Sequence, residues 1–137
     1  MYRWDLFRAK KNNTFRTNLG FVKEEDAQYY LNASDILLIP RIDELNSGNI
    51  TLGCTFGLVV MGRDGGDIGE ILKATDNPVF NPKNPTSIHQ AVIKALELID
   101  VGHGFNNKKI ALKDWDIDIV SNMYYNFYKE TLKQKGF

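Results

Sequence analysis

The stretch 36–71, ILLIPRIDELNSGNITLGCTFGLVVMGRDGGDIGEI, decides how the rest of the chain reads. It opens on four apolar residues, Ile36 to Ile39, stopped by Pro40. A short unbroken apolar run suits a strand covered on both faces of a parallel sheet. A polar loop follows, carrying Arg41, Asp43 and Glu44 and then Asn46-Ser47-Gly48-Asn49. Residues 50–56 are weak helix formers, with two Thr and a Gly. They still read as a helix, because Asn46, Ser47 and Asn49 are capping residues and Gly57 is a natural stop. Residues 58–61 read as the next strand. A glycine-rich loop, 62–66, leads to a short helix over 68–74. Strand, loop, helix, strand, loop is how an α/β protein builds a ligand site at the carboxyl edge of a parallel sheet.

Upstream of this stretch, Phe15, Thr17, Leu19 and Phe21 alternate with Arg16, Asn18 and Gly20, the period of a half-buried strand. Residues 23–33 read as a helix with Glu24, Glu25 and Asp26 at its positive end and Ala27, Tyr30 and Leu31 turned inward. Downstream, Pro78-Val79-Phe80 makes a brief strand at most, since Pro78 lacks a donor. Residues 88–99 read as a helix capped by Thr86 or Ser87, with Ile88, Val92, Ala95, Leu96 and Ile99 as its inner face. Residues 100–113, with Gly102 and Gly104, read as a polar loop. A terminal helix over 116–133 carries the stripe Ile117, Val120, Tyr124, Phe127 and Tyr128. About four strands alternating with helices argue a parallel sheet with right-handed crossovers. A full doubly wound domain often has roughly six strands. The expected fold class is therefore α/β, a partial doubly wound, Rossmann-like parallel sheet with flanking helices.

At 137 residues the chain reads as one domain, 1–137, or as part of one. Lys plus Arg and Asp plus Glu each total 17, and a net charge of zero gives no pull toward nucleic acid. No apolar run approaches the ~20 residues of a membrane span, while peripheral membrane contact stays open. The N-terminus, MYRWDLFRAKK, lacks the continuous apolar core of a signal peptide. The single cysteine, Cys54, cannot form an internal disulfide, which fits a reducing, cytoplasmic setting. Set among Leu52, Phe56 and Gly57, it reads as a small buried apolar residue, with no His nearby in sequence to activate it. His89 and His103 have no metal-ligand partner at a suitable spacing and read as surface residues. No metal or other cofactor is expected.

The chemistry belongs to the two loops. Free backbone amides where a helix starts at Asn46–Asn49 suit phosphate or another anion. Gly48 lets a ligand approach the backbone, and a carboxylate beside it accepts hydrogen bonds from sugar hydroxyls. In the second loop Gly65-Gly66 permits a close approach, and Glu70 opens the next helix. Both loops follow neighbouring strands and face one crevice. The alternative is an ordinary capped helix with a solvated acidic turn.

With these residues in view, the chain from Asn12 onward resembles the C-terminal, nucleotide-sugar-binding domain of GT-B glycosyltransferases, family 4 enzymes especially. Ala33-Ser34-Asp35-Ile36-Leu37-Leu38-Ile39-Pro40 matches the family's "aDvlvlPS" strand. Glu44 falls on the first glutamate of its E-x-F-G segment. Gly57, Val59 and Val60 match the entry to the next strand. Gly66-Asp67-Ile68-Gly69-Glu70 matches its GG-x-x-E loop, with Asp67 for the second glycine. Asn77 to Pro82 resembles "nGllv-p", and Trp115 with the Tyr-rich helix resembles the closing "sW" helix.

The resemblance implies that Glu44 and the backbone of Ser47, Gly48 and Asn49 hold the donor sugar and diphosphate, with Gly66 and Glu70 in the donor loop; Arg41 and Arg63 are the basic residues left to serve the diphosphate, solvation or pairing being the alternative. Leu52 stands where the family has its ribose-binding second glutamate, and Asn46-Ser47 replaces its Phe-Gly pair. The family's opening βαβ region, with its basic residues, and its acceptor domain find no match here. The resemblance therefore implies the C-terminal portion of a donor-binding domain of a hexosyltransferase in polysaccharide biosynthesis. Alone it would be inactive. Complete, it would transfer sugar from a nucleotide-sugar to a glycan or lipid-linked acceptor held by the other domain. A non-catalytic Rossmann or flavodoxin-like binding or interaction module is the alternative. Asp35 counts against a receiver module, because it starts its strand instead of ending it.

Overall fold

The structure, a computed structural model, describes residues 20–41 and 47–135. In chain order these form α1 (Glu24–Asn32), β1 (Ile36–Ile39), α2 (Asn49–Thr55), β2 (Val59–Arg63), α3 (Gly66–Ala74), β3 (Val79–Phe80), α4 (Pro85–Asp100), α5 (His103–Asp114) and α6 (Ile117–Gln134). The strands lie side by side in the order β1-β2-β3, all parallel. Ile39 stands opposite Gly62, and Gly62 opposite Val79. This is the α/β sheet with flanking helices that the sequence predicts. Three strands are present among the described residues instead of about four. The expected strand over 15–21 falls largely outside them, and its described end, Gly20 and Phe21, carries no strand.

A parallel sheet needs cover on both faces. Ile39 and Val60 meet Ile50 and Cys54 of α2, Ile68 and Leu72 of α3, and Ala111 of α5 on one side. Val59, Met61 and Phe80 meet Ala91 and Ala95 of α4 on the other. Alternate residues of β2 thus feed two separate cores, as the two-residue period of a strand dictates.

Several sequence expectations give way here. β2 runs on through Gly62 and Arg63, and α3 starts at Gly66, so the glycine-rich loop 62–66 shrinks to Asp64 and Gly65. Gly62 belongs in the strand for a packing reason. A Cβ there would come within 2.9 Å of Leu72 Cδ1 and 3.0 Å of Ile68 Cγ2, so the missing side chain lets α3 settle on the sheet. α4 begins before the expected 88, because Asn84, not Thr86 or Ser87, caps it. The Asn84 side chain accepts from the N–H groups of Thr86 at 3.0 Å and Ser87 at 3.4 Å, and Pro85 occupies the first turn. The inner face of α4 is also rotated. Ala91 and Ala95 are buried, whereas Val92 and Leu96 are exposed. Alanines bring the helix close to the sheet where larger residues would hold it away. On α1 Leu31 is buried as expected, but Tyr30 is largely exposed.

The larger correction concerns 100–113, which is helix α5 and not a polar loop. Gly102, at φ 71°, ends α4 in the left-handed region and lets α5 start at once. The buried face of α5 is His103, Gly104, Asn107 and Ala111, at helical spacing but without a large apolar residue. A Cβ on Gly104 would overlap the Gly57 carbonyl oxygen, so α5 lies hard against the turn between α2 and β2. His103 is therefore buried, not a surface residue, and its Nε2–H donates to the Thr75 carbonyl at 3.0 Å. His89 is exposed as expected. α6 forms as predicted, with Asp116 accepting from the Asp118 N–H at 2.9 Å. Its stripe does not enter a core: Ile117, Tyr124, Phe127 and Tyr128 are exposed, and no residue of α6 is buried.

The amino ends of β2 and β3 are joined by side-chain amides. Asn77 Nδ2 donates to Asn107 Oδ1 at 2.8 Å, and Asn107 Nδ2 donates back to Asn77 Oδ1 at 3.0 Å. Asn107 Nδ2 also donates to the Leu58 carbonyl at 2.8 Å. Asn77 Oδ1 accepts from the Val60 N–H at 3.0 Å. That last bond continues a ladder in which Gly62 N–H donates to Pro78 O and Asp64 N–H to Phe80 O. The Asn77 side chain supplies the rung that a two-residue strand is too short to provide. Asn107 is fully buried, and removing its amide takes the donor from the Leu58 carbonyl and one bond from each end of the Asn77 amide, which keeps Val60 N–H and Thr75 as partners. Asn107→Ala should lower unfolding free energy by about 2 kcal/mol, the order of one buried group left unpaired. Exposed Asn106→Ala should change it by less than about 0.5 kcal/mol. Urea midpoints of the two variants check this.

Candidate functional site

The carboxyl ends of β1 and β2 are adjacent, since Ile39 pairs with Gly62 in register. Open α/β sheets bind ligands at this edge. Pro40 and exposed Arg41 follow β1. Asp43 and Glu44 lie outside the described residues. Ser47, Gly48 and Asn49 lead into α2, with Ser47 Oγ accepting from the Asn49 N–H at 3.3 Å. Gly48 has φ −60° and ψ −16°, a conformation open to any residue. No atom lies within 4 Å of where its Cβ would stand. Its absent side chain thus leaves the backbone accessible and does not serve to bend it. α2 spans seven residues, so only about two turns of dipole stand behind these amides.

At the end of β2, Arg63 lies across Gly65. Its Nε and Nη2 are 2.8 and 2.9 Å from where a Cβ on residue 65 would stand, so a side chain there would make the flexible guanidinium shift. Asp64 pairs with Lys73, both partly exposed. That pair contributes about 1 kcal/mol or less, but it gives the Asp64 carboxylate a partner. Gly66 has φ 57° in the left-handed region and opens α3. Exposed Asp67 sits in the first turn, where its charge already complements the helix amides and opposes an incoming anion. Glu70 does not open the helix as expected. It is the fifth residue of α3, exposed, with no hydrogen bond or ion pair among the described residues.

The fold therefore brings Arg41, Ser47, Gly48 and Asn49 to the end of one strand and Arg63 and Gly66 to the end of its neighbour, and sets Glu70 a turn back. Leu52, at the place of the family's second glutamate, is 41% exposed on α2, so that position is open to solvent. The sequence reading passed over Asn77 and Asn107. Their signal was the spacing of His103, Asn107 and Ala111 at three to four residues, which hydropathy alone does not register. Other depressions lie away from this edge. One of about 260 Å³ at the amino end of the sheet is lined by Leu31, Asp35, Phe56 and Phe105, among others. A largely apolar groove of about 590 Å³ beside α6 is lined by Trp115, Val120, Met123, Tyr124 and Phe127. Among the described residues no three His, Cys, Asp or Glu side chains gather to hold a metal ion, and no helix is long and apolar enough to cross a membrane.

Cys54 is fully buried, and burial pushes its thiol from 9.0 up to about 11. The folded chain holds the proton more tightly than the unfolded one. That contribution to stability is complete below pH 9.0 and is lost as pH rises toward about 11. A thiol-directed disulfide reagent at about pH 8 should leave the folded chain unmodified and label it once denatured, because the thiolate is the reactive form. The urea midpoint should fall above pH 9.0 in the parent chain and fall less in Cys54→Ala.

No protein-family model matches the chain, no curated protein matches its sequence, and no solved structure matches its fold.

Proposed function

We propose that this chain is the nucleotide-sugar-binding portion of a GT-B-type glycosyltransferase, with the donor held across the carboxyl ends of β1 and β2. The observation that carries the reading is the position of Arg63. A guanidinium over Gly65, at the carboxyl end of the strand that pairs with β1, suits a diphosphate. The sequence resemblance independently assigns these two loops to the donor. In transfer, the bond from the anomeric carbon to the diphosphate oxygen breaks, and negative charge grows on the departing nucleoside diphosphate. Arg63, Arg41 and the amides at Ser47–Asn49 would meet that charge. Glu44 would accept hydrogen bonds from the sugar. The hydroxyl of a glycan or lipid-linked acceptor held by a second domain would form the new bond to the anomeric carbon and release its proton.

The uncovered stripe of α6 favours a second reading, a non-catalytic interaction module. Calorimetric titration with UDP, GDP and their sugar conjugates separates the two. Donor binding predicts saturable heats. Arg63→Ala should weaken every diphosphate about tenfold, or about 1.4 kcal/mol, for a lost charge-assisted bond. Glu44→Ala should weaken only the sugar-bearing ligands. Affinities unchanged in both variants would overturn the site, and no binding at all would favour the interaction module. Because Leu52 is exposed, Leu52→Glu should fold normally. It should tighten UDP or GDP relative to inorganic pyrophosphate by supplying a ribose contact.

A further inference from the structure

Gly65, which caps α3, and Gly69 and Lys73 within it follow one another at a spacing of four, so they lie along one face of the helix. The Gly69 N–H donates to the Gly65 carbonyl at 3.2 Å, which carries the helical spacing back to the cap. Two of these three positions have no side chain, and β2 and its exit turn fill both places. A Cβ on Gly65 would stand 2.8 Å from Arg63 Nε. A Cβ on Gly69 would stand 3.2 Å from Asp64 Oδ1 and 3.3 Å from Asp64 Cα, so a side chain there would press on Asp64. The carboxylate over Gly69 pairs with Lys73, the third member of the face. Arg63, Asp64 and Lys73 thus make a row of charges, positive, negative, positive. The first two places are about 5–6 Å apart, the separation of positions one turn apart on a helix. The Asp64 backbone is pinned as well: its N–H donates to the Phe80 carbonyl at 2.8 Å, and the Gly65 N–H donates to the Arg63 carbonyl at 3.1 Å. Arg63 itself makes no ion pair among the described residues, although an aspartate follows it directly.

We propose that Lys73 is a positioning residue for the diphosphate site: by holding the Asp64 carboxylate over Gly69 it keeps that charge from pairing with Arg63 and leaves the guanidinium to the ligand. The identity of the ligand rests on the donor-site reading above; the sorting of the three charges does not. The Lys73 backbone lies about two helical turns, or about 12 Å, from Gly65. Charges that far apart are largely screened at physiological salt, where the screening length is about 8 Å. The ammonium is engaged by Asp64, so its effect on a ligand at Arg63 runs through that carboxylate. Without Lys73, the neighbouring place in the row holds the Arg63 guanidinium, and Asp64 competes with phosphate for it.

A double-variant cycle of the full chain with Lys73→Met and Asp64→Asn tests this. Both substitutions keep the approximate size of the side chain, and methionine forms helix about as well as lysine. Inorganic pyrophosphate, titrated calorimetrically, is the probe, because it carries the diphosphate charge without a sugar or base. Lys73→Met should weaken its binding about threefold to fivefold, the competition that a partly exposed ion pair offers. In the Asp64→Asn background the same substitution should leave the affinity unchanged. The Arg63 Nε–H resonance, followed by NMR without ligand, should shift and exchange more slowly with water in Lys73→Met. It should not change between Asp64→Asn and the double variant. This second measurement needs no bound diphosphate, so it separates a failure of the donor site from a failure of the charge sorting. Equal weakening by Lys73→Met in both backgrounds would give Lys73 a general electrostatic or structural part and overturn the proposal. An Arg63 Nε–H indifferent to Lys73→Met would do the same.

Discussion

The reciprocal amide contact between Asn77 and Asn107 is the constraint on which the arrangement of layers depends. β3 is too short to pair with all of β2, and the Asn77 side chain extends it by one rung to the Val60 N–H. Asn107 holds Asn77 in that position and, through the Leu58 carbonyl, ties α5 to the entry of β2. Thr75, at the end of α3, accepts from Asn77 and from His103, so the exit of α3 and the start of α5 join the same network. Such a network rigidifies a fold only when every member is satisfied, and among the described residues no buried side-chain polar atom lacks a partner.

This anchoring is confined to the amino end of the sheet. The two ends are built differently. At the amino end, uncharged amides and carbonyls satisfy each other out of contact with water. At the carboxyl end, Arg41, Asp64 and Asp67 stand near solvent. β2 is central and buried, and only Asp64 and Gly65 separate it from α3. Arg63 is thus carried on the central strand of the described sheet.

Legibility varied with how local each signal was. β1 was readable because four apolar residues before Pro40 suit little else. α2 was readable despite poor propensity, because Ser47 and Gly57 mark its ends. The 62–66 segment misled, because glycine signals a loop when read alone, whereas Gly62 is a strand residue whose empty side-chain position receives Leu72 and Ile68. α5 was missed for a related reason. Its core-facing residues are a histidine, a glycine, an asparagine and an alanine, and each is inward-facing only because a partner lies elsewhere in the chain. The rotation of α4 has the same origin. Val92 and Leu96 are the more apolar choice, but the sheet accepts Ala91 and Ala95 because they allow closer contact.

By itself the sequence determined β1, β2, the helices other than α5, the parallel α/β class and the buried character of Cys54. These follow from hydrophobic period, capping and turn chemistry, which act within a few residues. Tertiary structure alone decided which glycines are structural, which face of α4 turns inward, that 103–114 is helical, and that Arg63 lies over Gly65. Each of these depends on the shape of a surface contributed by residues far away in the chain, and close packing admits only the side chain that fits that surface.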